Sequence, residues 1–182
     1  FIDNKKNLNF NYLSKKLYKN FYPNRKIEKK IKKINLPSNF IGLHIRSTDR
    51  ALNIKNFISK IQFQEMIFDF QIKHMINNVF NFLDKKFENA SIFICSDSKF
   101  YRQKFLEKFR DKKNILMNNT SFRPQNFRQT SGEDFLTELF CLSKSKLIIS
   151  TLGGAVPESA SLISKKKIKI YKWTDTINIF IF

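Results

Sequence analysis

The chain has 182 residues, enough for one domain with a sizeable core. Its formal net charge is +19, but the lysines are dispersed, and neither zinc-finger spacing nor an aromatic RNA-stacking motif occurs, which argues against nucleic acid as a partner. The two cysteines, Cys95 and Cys141, sit in apolar runs without a closely spaced partner, which argues against a disulfide framework and against structural zinc.

The chain starts at Phe1 rather than Met and reads as a processed or partial product. Leu8, Tyr12, Leu17 and Phe21 space out an amphipathic helix ending near Pro23, and Arg25 to Lys33 reads as a solvated, charged helix face. Residues 1–37 form a basic helical or linker segment, and a single domain is expected over 38–182. Phe40 to Ile45 is a short buried strand. Residues 62–83 carry apolar groups at helical spacing, Phe63, Ile67, Phe70, Met75, Val79 and Phe82, with His74 as an ordinary surface or boundary residue. Ser91 to Cys95 is a second strand, followed by Ser96-Asp97-Ser98, which can cap a helix over Lys99 to Phe109. Ile115 to Met117 is a short third strand, and 118–131 a loop. A helix over Glu133 to Ser143 takes Ser131 as its cap, and Leu147 to Ile149 is a fourth strand. Thr151-Leu152-Gly153-Gly154 turns into a helix with Pro157 in its first turn, and Ile168 to Tyr171 is a fifth strand. No stretch is long and apolar enough to span a membrane.

Strands alternating with helices predict an α/β fold, a Rossmann-like parallel sheet with helices on both faces. Such sheets bind ligands at the carboxyl ends of their strands. His44, Arg46 and Asp49 follow the first strand, Asp97 the second, and Thr151 with the two glycines the fourth, so three polar clusters converge on one rim. Arg46 can grip a phosphate with its planar fork, and the Gly153-Gly154 turn lets backbone N–H groups approach an anion at a helix N-terminus. Together they form a diphosphate site without the Walker or G-x-G-x-x-G fingerprints, which are absent. The same residues also fit blander roles: Arg46 with Asp49 as a local ion pair, and Gly153-Gly154 as a turn.

The segment I-G-L-H-I-R-S-T-D-R resembles the H-x-R-R-x-D motif of GDP-fucose-dependent fucosyltransferases, the α1,6 and nodulation type above all, with α1,2 and protein O-fucosyltransferases as relatives. F-Q-E-M-I-F-D-F at 63–70 resembles the helix that follows, and S-I-F-I-C-S-D-S-K-F-Y the second strand with its A-T-D-D turn. E-L-F-C-L-S-K-S-K-L-I-I-S-T-L-G-G-A-V-P-E-S-A-S-L-I resembles the third motif, an acidic residue, L-S, an apolar strand and T-F-S-S. The likeness runs in order over about residues 38–165.

The resemblance implies the donor-binding, C-terminal half of a GT-B glycosyltransferase. It would transfer fucose from GDP-fucose to a glycan acceptor with inversion, needing neither metal nor cofactor. His44 would lie near base and ribose, Arg46 would bind the β-phosphate and stabilise departing GDP, and Asp49 would orient that loop. Glu138 falls where the family carries a guanine-recognising Asp, Thr151, Gly153 and Gly154 at the phosphate-binding turn, and Asp97 in the turn after the second strand. Three departures stand out: Ser47 replaces the second motif Arg, the T-F-S-S hydroxyls are reduced to Thr151, and Ile54 occupies the place of the proposed base. Acceptor activation is therefore unassigned. Another sugar nucleotide on the same fold, or a non-catalytic basic binding protein, are the alternative readings.

Overall fold

The computed structural model describes Tyr18 and residues 20–46, 62–122, 130–151, 155–164 and 166–173, with the stretch 62–72 as backbone. The apolar runs become five parallel strands: β1 (Ile41–Ile45), β2 (Ile92–Ser96), β3 (Ile115–Met117), β4 (Leu147–Thr151) and β5 (Lys169–Trp173). Their order across the sheet is β3-β2-β1-β4-β5. In β1, β2 and β4 every residue is buried, as central parallel strands covered on both faces require. The edges differ. β3 has three residues, and β5 exposes Tyr171 together with Lys169 and Lys172, charged groups that discourage pairing with another chain.

The helices are α1 (Arg25–Ile34), α2 (Gln62–Lys86), α3 (Lys99–Phe109), α4 (Gly132–Leu142) and α5 (Ala155–Ile163). Side chains alternate across each strand. Ile41, Leu43, Ile45, Ile92, Ile94 and Ile149 pack with Met75, Val79 and Leu83 of α2 and with Phe105 and Phe109 of α3. On the other face Phe93, Cys95 and Ile148 meet Leu139 to Leu142 of α4, Ala160 of α5, and Ile27 and Ile31 of α1. Both cysteines are buried in this second layer, as expected of small apolar residues.

The charged run 25–33 is a helix, but not a wholly solvated one. Asn24 caps it by accepting from the Ile27 N–H at 3.0 Å, and Asn35 ends it in a left-handed conformation (φ 51°). Ile27 and Ile31, one turn apart, are its buried stripe. Lys26 and Lys30 bind Glu133 of α4, with Lys30 Nζ 2.7 Å from its carboxylate. Of the helix expected before Pro23, Tyr18 and residues 20–22 are described; Tyr18 is helical and residues 20–22 are not, and the rest lies outside the described residues. Past the end of α2, buried Lys113 donates to the carbonyls of Phe87 (2.7 Å) and Glu88 (3.0 Å), where a cation suits the helix dipole.

The chain fills β1, β2 and β3 outward in one direction, then returns with β4 to the opposite side of β1. The reversal makes the carboxyl ends of β1 and β4 the switch point, the place where open α/β sheets bind ligands. α4 must therefore lie close against β1. A Cβ on Gly42 would sit 2.7 Å from Leu142 Cδ2 and 3.2 Å from Ser145 Oγ. Replacing Gly42 with Val should cost about 1–3 kcal/mol by overpacking. In thermal unfolding the midpoint should fall by roughly 2–4 °C per kcal/mol lost, and Gly42→Ala should be milder.

Candidate functional site

The switch point is tied across two strands. His44 stands opposite Cys95 of β2 and Ser150 of β4, and its Nδ1 is 3.0 Å from Ser150 Oγ. Arg46, the residue after β1, is half-buried and donates its backbone N–H to Thr151 Oγ1 at 3.1 Å. Thr151 itself is fully buried. Asp97 follows Ser96, the last residue of β2, whose register partner is Ile45. His44, Arg46, Asp97 and Thr151 thus share one rim of the sheet. Asp49, Gly153 and Gly154 lie outside the described residues, as do Ser47 and Ile54.

Glu138 reaches the same end from α4 and is 3% exposed. Its Oε1 accepts from Arg102 Nη2 and from Thr120 Oγ1 (3.0 Å); its Oε2 accepts from the Cys95 thiol at 3.0 Å. Arg102 of α3 is 4% exposed and has every N–H engaged. Nε and Nη2 donate to the Ser96 carbonyl (3.1 and 2.8 Å), and Nη2 also to Glu138. Nη1 donates to the Asn118 carbonyl (3.3 Å) and to Thr120 Oγ1 (3.2 Å). The Phe122 ring lies 5.0 Å from the guanidinium carbon, within cation–π range. One side chain therefore joins the end of β2, the segment after β3 and helix α4.

The network continues along α4. Asn118 Nδ2 donates to Asp134 Oδ1 (3.0 Å), which also receives Lys30 Nζ (2.9 Å). Ser131 caps the helix through the Asp134 N–H (3.0 Å) and donates its hydroxyl to Asp134 Oδ2 (2.8 Å). Burial pushes the Asp134 carboxyl up, but bonds from Lys30, Ser131 and Asn118 outweigh it and hold the group below the usual carboxylate range. Burial pushes the Glu138 carboxyl up, against the pull of Arg102, Cys95 and Thr120. The Cys95 thiol is raised far more, by burial and then by the adjacent Glu138 charge, so Cys95 stays a thiol and acts as a weak donor. Cys141 is pushed up to about 12, chiefly by burial.

Arg102 carries no motif and escaped the sequence reading. The signal was its spacing: it lies three residues before Phe105 and seven before Phe109, on the stripe that α3 buries. A cation on an apolar stripe needs buried partners. Among the described residues, no group of three or more His, Cys, Asp or Glu is placed to hold a metal ion.

No protein-family model and no curated protein matches the chain by sequence. By structure, it superposes on POFUT1 in complex with GDP-fucose with a TM-score of 0.53 and 10% identity, over 89% of this chain and 49% of that one. POFUT1 in complex with GDP gives the same score and identity, over 89% and 51%. NodZ α-1,6-fucosyltransferase soaked with GDP-fucose gives 0.49 and 16%, over 81% and 45%. The chain spans about half the length of these structures. The similarity to POFUT1 is one of fold. The Rossmann-like α/β architecture expected from the sequence is the architecture found, and it is shared with POFUT1.

Because its pKa is depressed, Asp134 stabilises the fold above the ordinary carboxylate range, and that stability is lost as pH falls through its lowered value. Asp134→Asn should lower stability by about 1–2 kcal/mol near pH 7 through the weakened Lys30 contact. It should also flatten the acid limb of a urea-unfolding series run from about pH 7 to about pH 3.

Proposed function

We propose that this chain is the nucleotide-binding half of a GT-B glycosyltransferase, with GDP-fucose as donor and a glycan as acceptor. The carrying observation is the pair of ties at the switch point, His44 to Ser150 and Arg46 to Thr151. They bring an imidazole and a guanidinium-bearing residue to the carboxyl ends of adjacent parallel strands, where a nucleotide binds in such sheets. The occupancy of POFUT1 by GDP-fucose supports the same ligand class here.

In this reading His44 contacts base and ribose, and Arg46 grips the β-phosphate. Thr151 and the N–H groups of Gly153 and Gly154 close the phosphate side, while Asp97 and Asp49 set the flanking turns. Glu138 accepts from the guanine N1–H and N2–H₂. An acceptor hydroxyl attacks the anomeric carbon from the face opposite the diphosphate. The carbon–oxygen bond to the β-phosphate breaks, its electron pair leaves with GDP, and the hydroxyl proton passes to a base outside the residues named. Charge grows on the β-phosphate oxygen as the bond breaks, and Arg46 neutralises it there, the task a divalent metal performs in other transferases.

Titration with GDP, ADP and UDP tests the reading. Binding of GDP with ADP and UDP rejected is expected; absence of GDP binding overturns it. In the enzyme complete with its acceptor half, Arg46→Ala should lower kcat/KM by roughly 10²–10³, the cost of one preorganised donor. Arg46→Lys should not restore it, because an ammonium lacks the fork that holds two phosphate oxygens. Turnover near wild type in Arg46→Ala removes Arg46 from the phosphate site.

A further inference from the structure

We propose that the amino-terminal end of the sheet, opposite the rim, docks on an anionic lipid bilayer, and that a basic cavity there receives a headgroup phosphate. The inference is independent of the nucleotide reading. Lysines scattered along the sequence meet at this end. Lys32 and Lys33 lie in the last turn of α1, Lys144 and Lys146 lead into β4, and Lys166 and Lys167 lead into β5. The backbone sets these segments side by side. The Lys146 N–H donates to the carbonyl of Phe40, the residue before β1, at 3.0 Å. Leu147 stands opposite Lys169, two residues beyond Lys167. All six side chains are exposed.

The charge at this corner has one sign. Stretches 29–39, 143–151 and 159–173 contain no Asp or Glu. Elsewhere lysines find carboxylates: Lys26 and Lys30 pair with Glu133, Lys112 with Asp84 and Lys172 with Glu158. Among the described residues none of the six has such a partner. The helix dipole accounts for Lys32 and Lys33, which sit at the negative end of α1. It does not account for Lys146, Lys166 and Lys167, which belong to no helix.

Between the end of α1 and the turn after α4 lies a cavity of about 400 Å³. Lys32, Lys144 and Ser38 give it ammonium and hydroxyl donors, the complement of phosphate oxygens. Leu36 and Pro37, both half-buried, form its apolar edge. Three features favour a bilayer over other polyanions. The six cations are all Lys, flexible point charges that follow a fluid array of phosphates, where an Arg fork would fix one. The ring that lines the cavity, Phe40, is 3% exposed and offers no platform for stacking a nucleobase. Leu36 and Pro37 set apolar surface beside the charges, suited to the boundary between headgroups and acyl chains. Clusters of about four to eight lysines are what an anionic leaflet attracts. His44 and Thr151 lie at the other ends of the strands, so docking leaves the rim open.

The test is co-sedimentation of the full chain with vesicles of phosphatidylcholine plus phosphatidylglycerol, and with phosphatidylcholine alone. Binding to the first and not the second is expected, weakening as salt rises from about 0.1 M to about 1 M. Each lysine near an anionic surface contributes roughly fivefold in partition, so Lys32→Gln/Lys144→Gln should bind about tenfold or more weakly. Lys166→Gln/Lys167→Gln should weaken binding in the same direction. Lys73→Gln/Lys104→Gln removes equal charge from α2 and α3, on the other face of the sheet, and should change binding by less than about threefold. All these side chains are exposed, and an unchanged thermal midpoint checks that each variant is folded. Equal losses in Lys32→Gln/Lys144→Gln and Lys73→Gln/Lys104→Gln mean that net charge alone drives binding, and overturn the proposal. Wild type that does not bind the anionic vesicles also overturns it. Tighter binding to single-stranded RNA or to heparin at the same salt, lost in Lys32→Gln/Lys144→Gln, assigns the surface to a soluble polyanion and overturns the lipid.

Discussion

Everything at the rim depends on β1 being hydrogen-bonded along both edges. Ile41 to Ile45 pair with β2 on one side, and Ile41 to His44 with β4 on the other, all in parallel. Parallel pairing delivers every strand to the same end of the sheet, so polar residues at the ends of different strands are brought together without any local sequence relationship. The residue pattern of β1 fits that position: Ile41, Leu43 and Ile45 fill one layer, while Gly42 leaves room for α4 on the other. His44, on the Gly42 face, is the first side chain past that close approach. It can occupy a buried site because Ser150 supplies a hydroxyl partner.

The Arg102–Glu138 pair shows a different kind of constraint. Two charges almost wholly withdrawn from water need close contact and further hydrogen bonds to offset desolvation. Both conditions are met, and the acceptors come from three separate parts of the fold. A pair of this sort adds little stability compared with well-packed apolar residues, while loss of one member leaves the other unmatched. Its contribution here is geometric. The guanidinium plane fixes the relative placement of the β2 terminus, the segment after β3 and α4.

The fold was legible in the sequence because its signals are local. Apolar runs of strand length, Ser131 three residues before Asp134, and Ser98 ahead of α3 each specify an element from neighbouring residues. The rim was legible for a related reason: a polar residue that ends a buried strand announces itself. What could not be read are pairings across long separations. Lys30 and Asp134 are 104 residues apart, so the run at 25–33 showed a charged helix but not the partners its lysines would find. Arg102 was hidden the same way, since its acceptors at 96, 118, 120 and 138 converge only in the folded chain. Glu138 drew notice by its place in a motif, yet its engagement with Arg102 and Cys95 could be found only in the folded structure.

The two ties across the switch point also have a kinetic meaning. His44 and Ser150 are separated by 106 residues, and Arg46 and Thr151 by 105. Contacts of such range reward the chain only after a large loop has closed, which makes them slow to form. β1, β2 and β3 with α2 and α3 can assemble as a contiguous half-sheet, whereas β4 must be made and then docked against the far edge of β1. During synthesis the rim stays open until residue 151 has emerged, so the chain gains its candidate site at the step that gives β1 its second neighbour, before β5 is added at the edge.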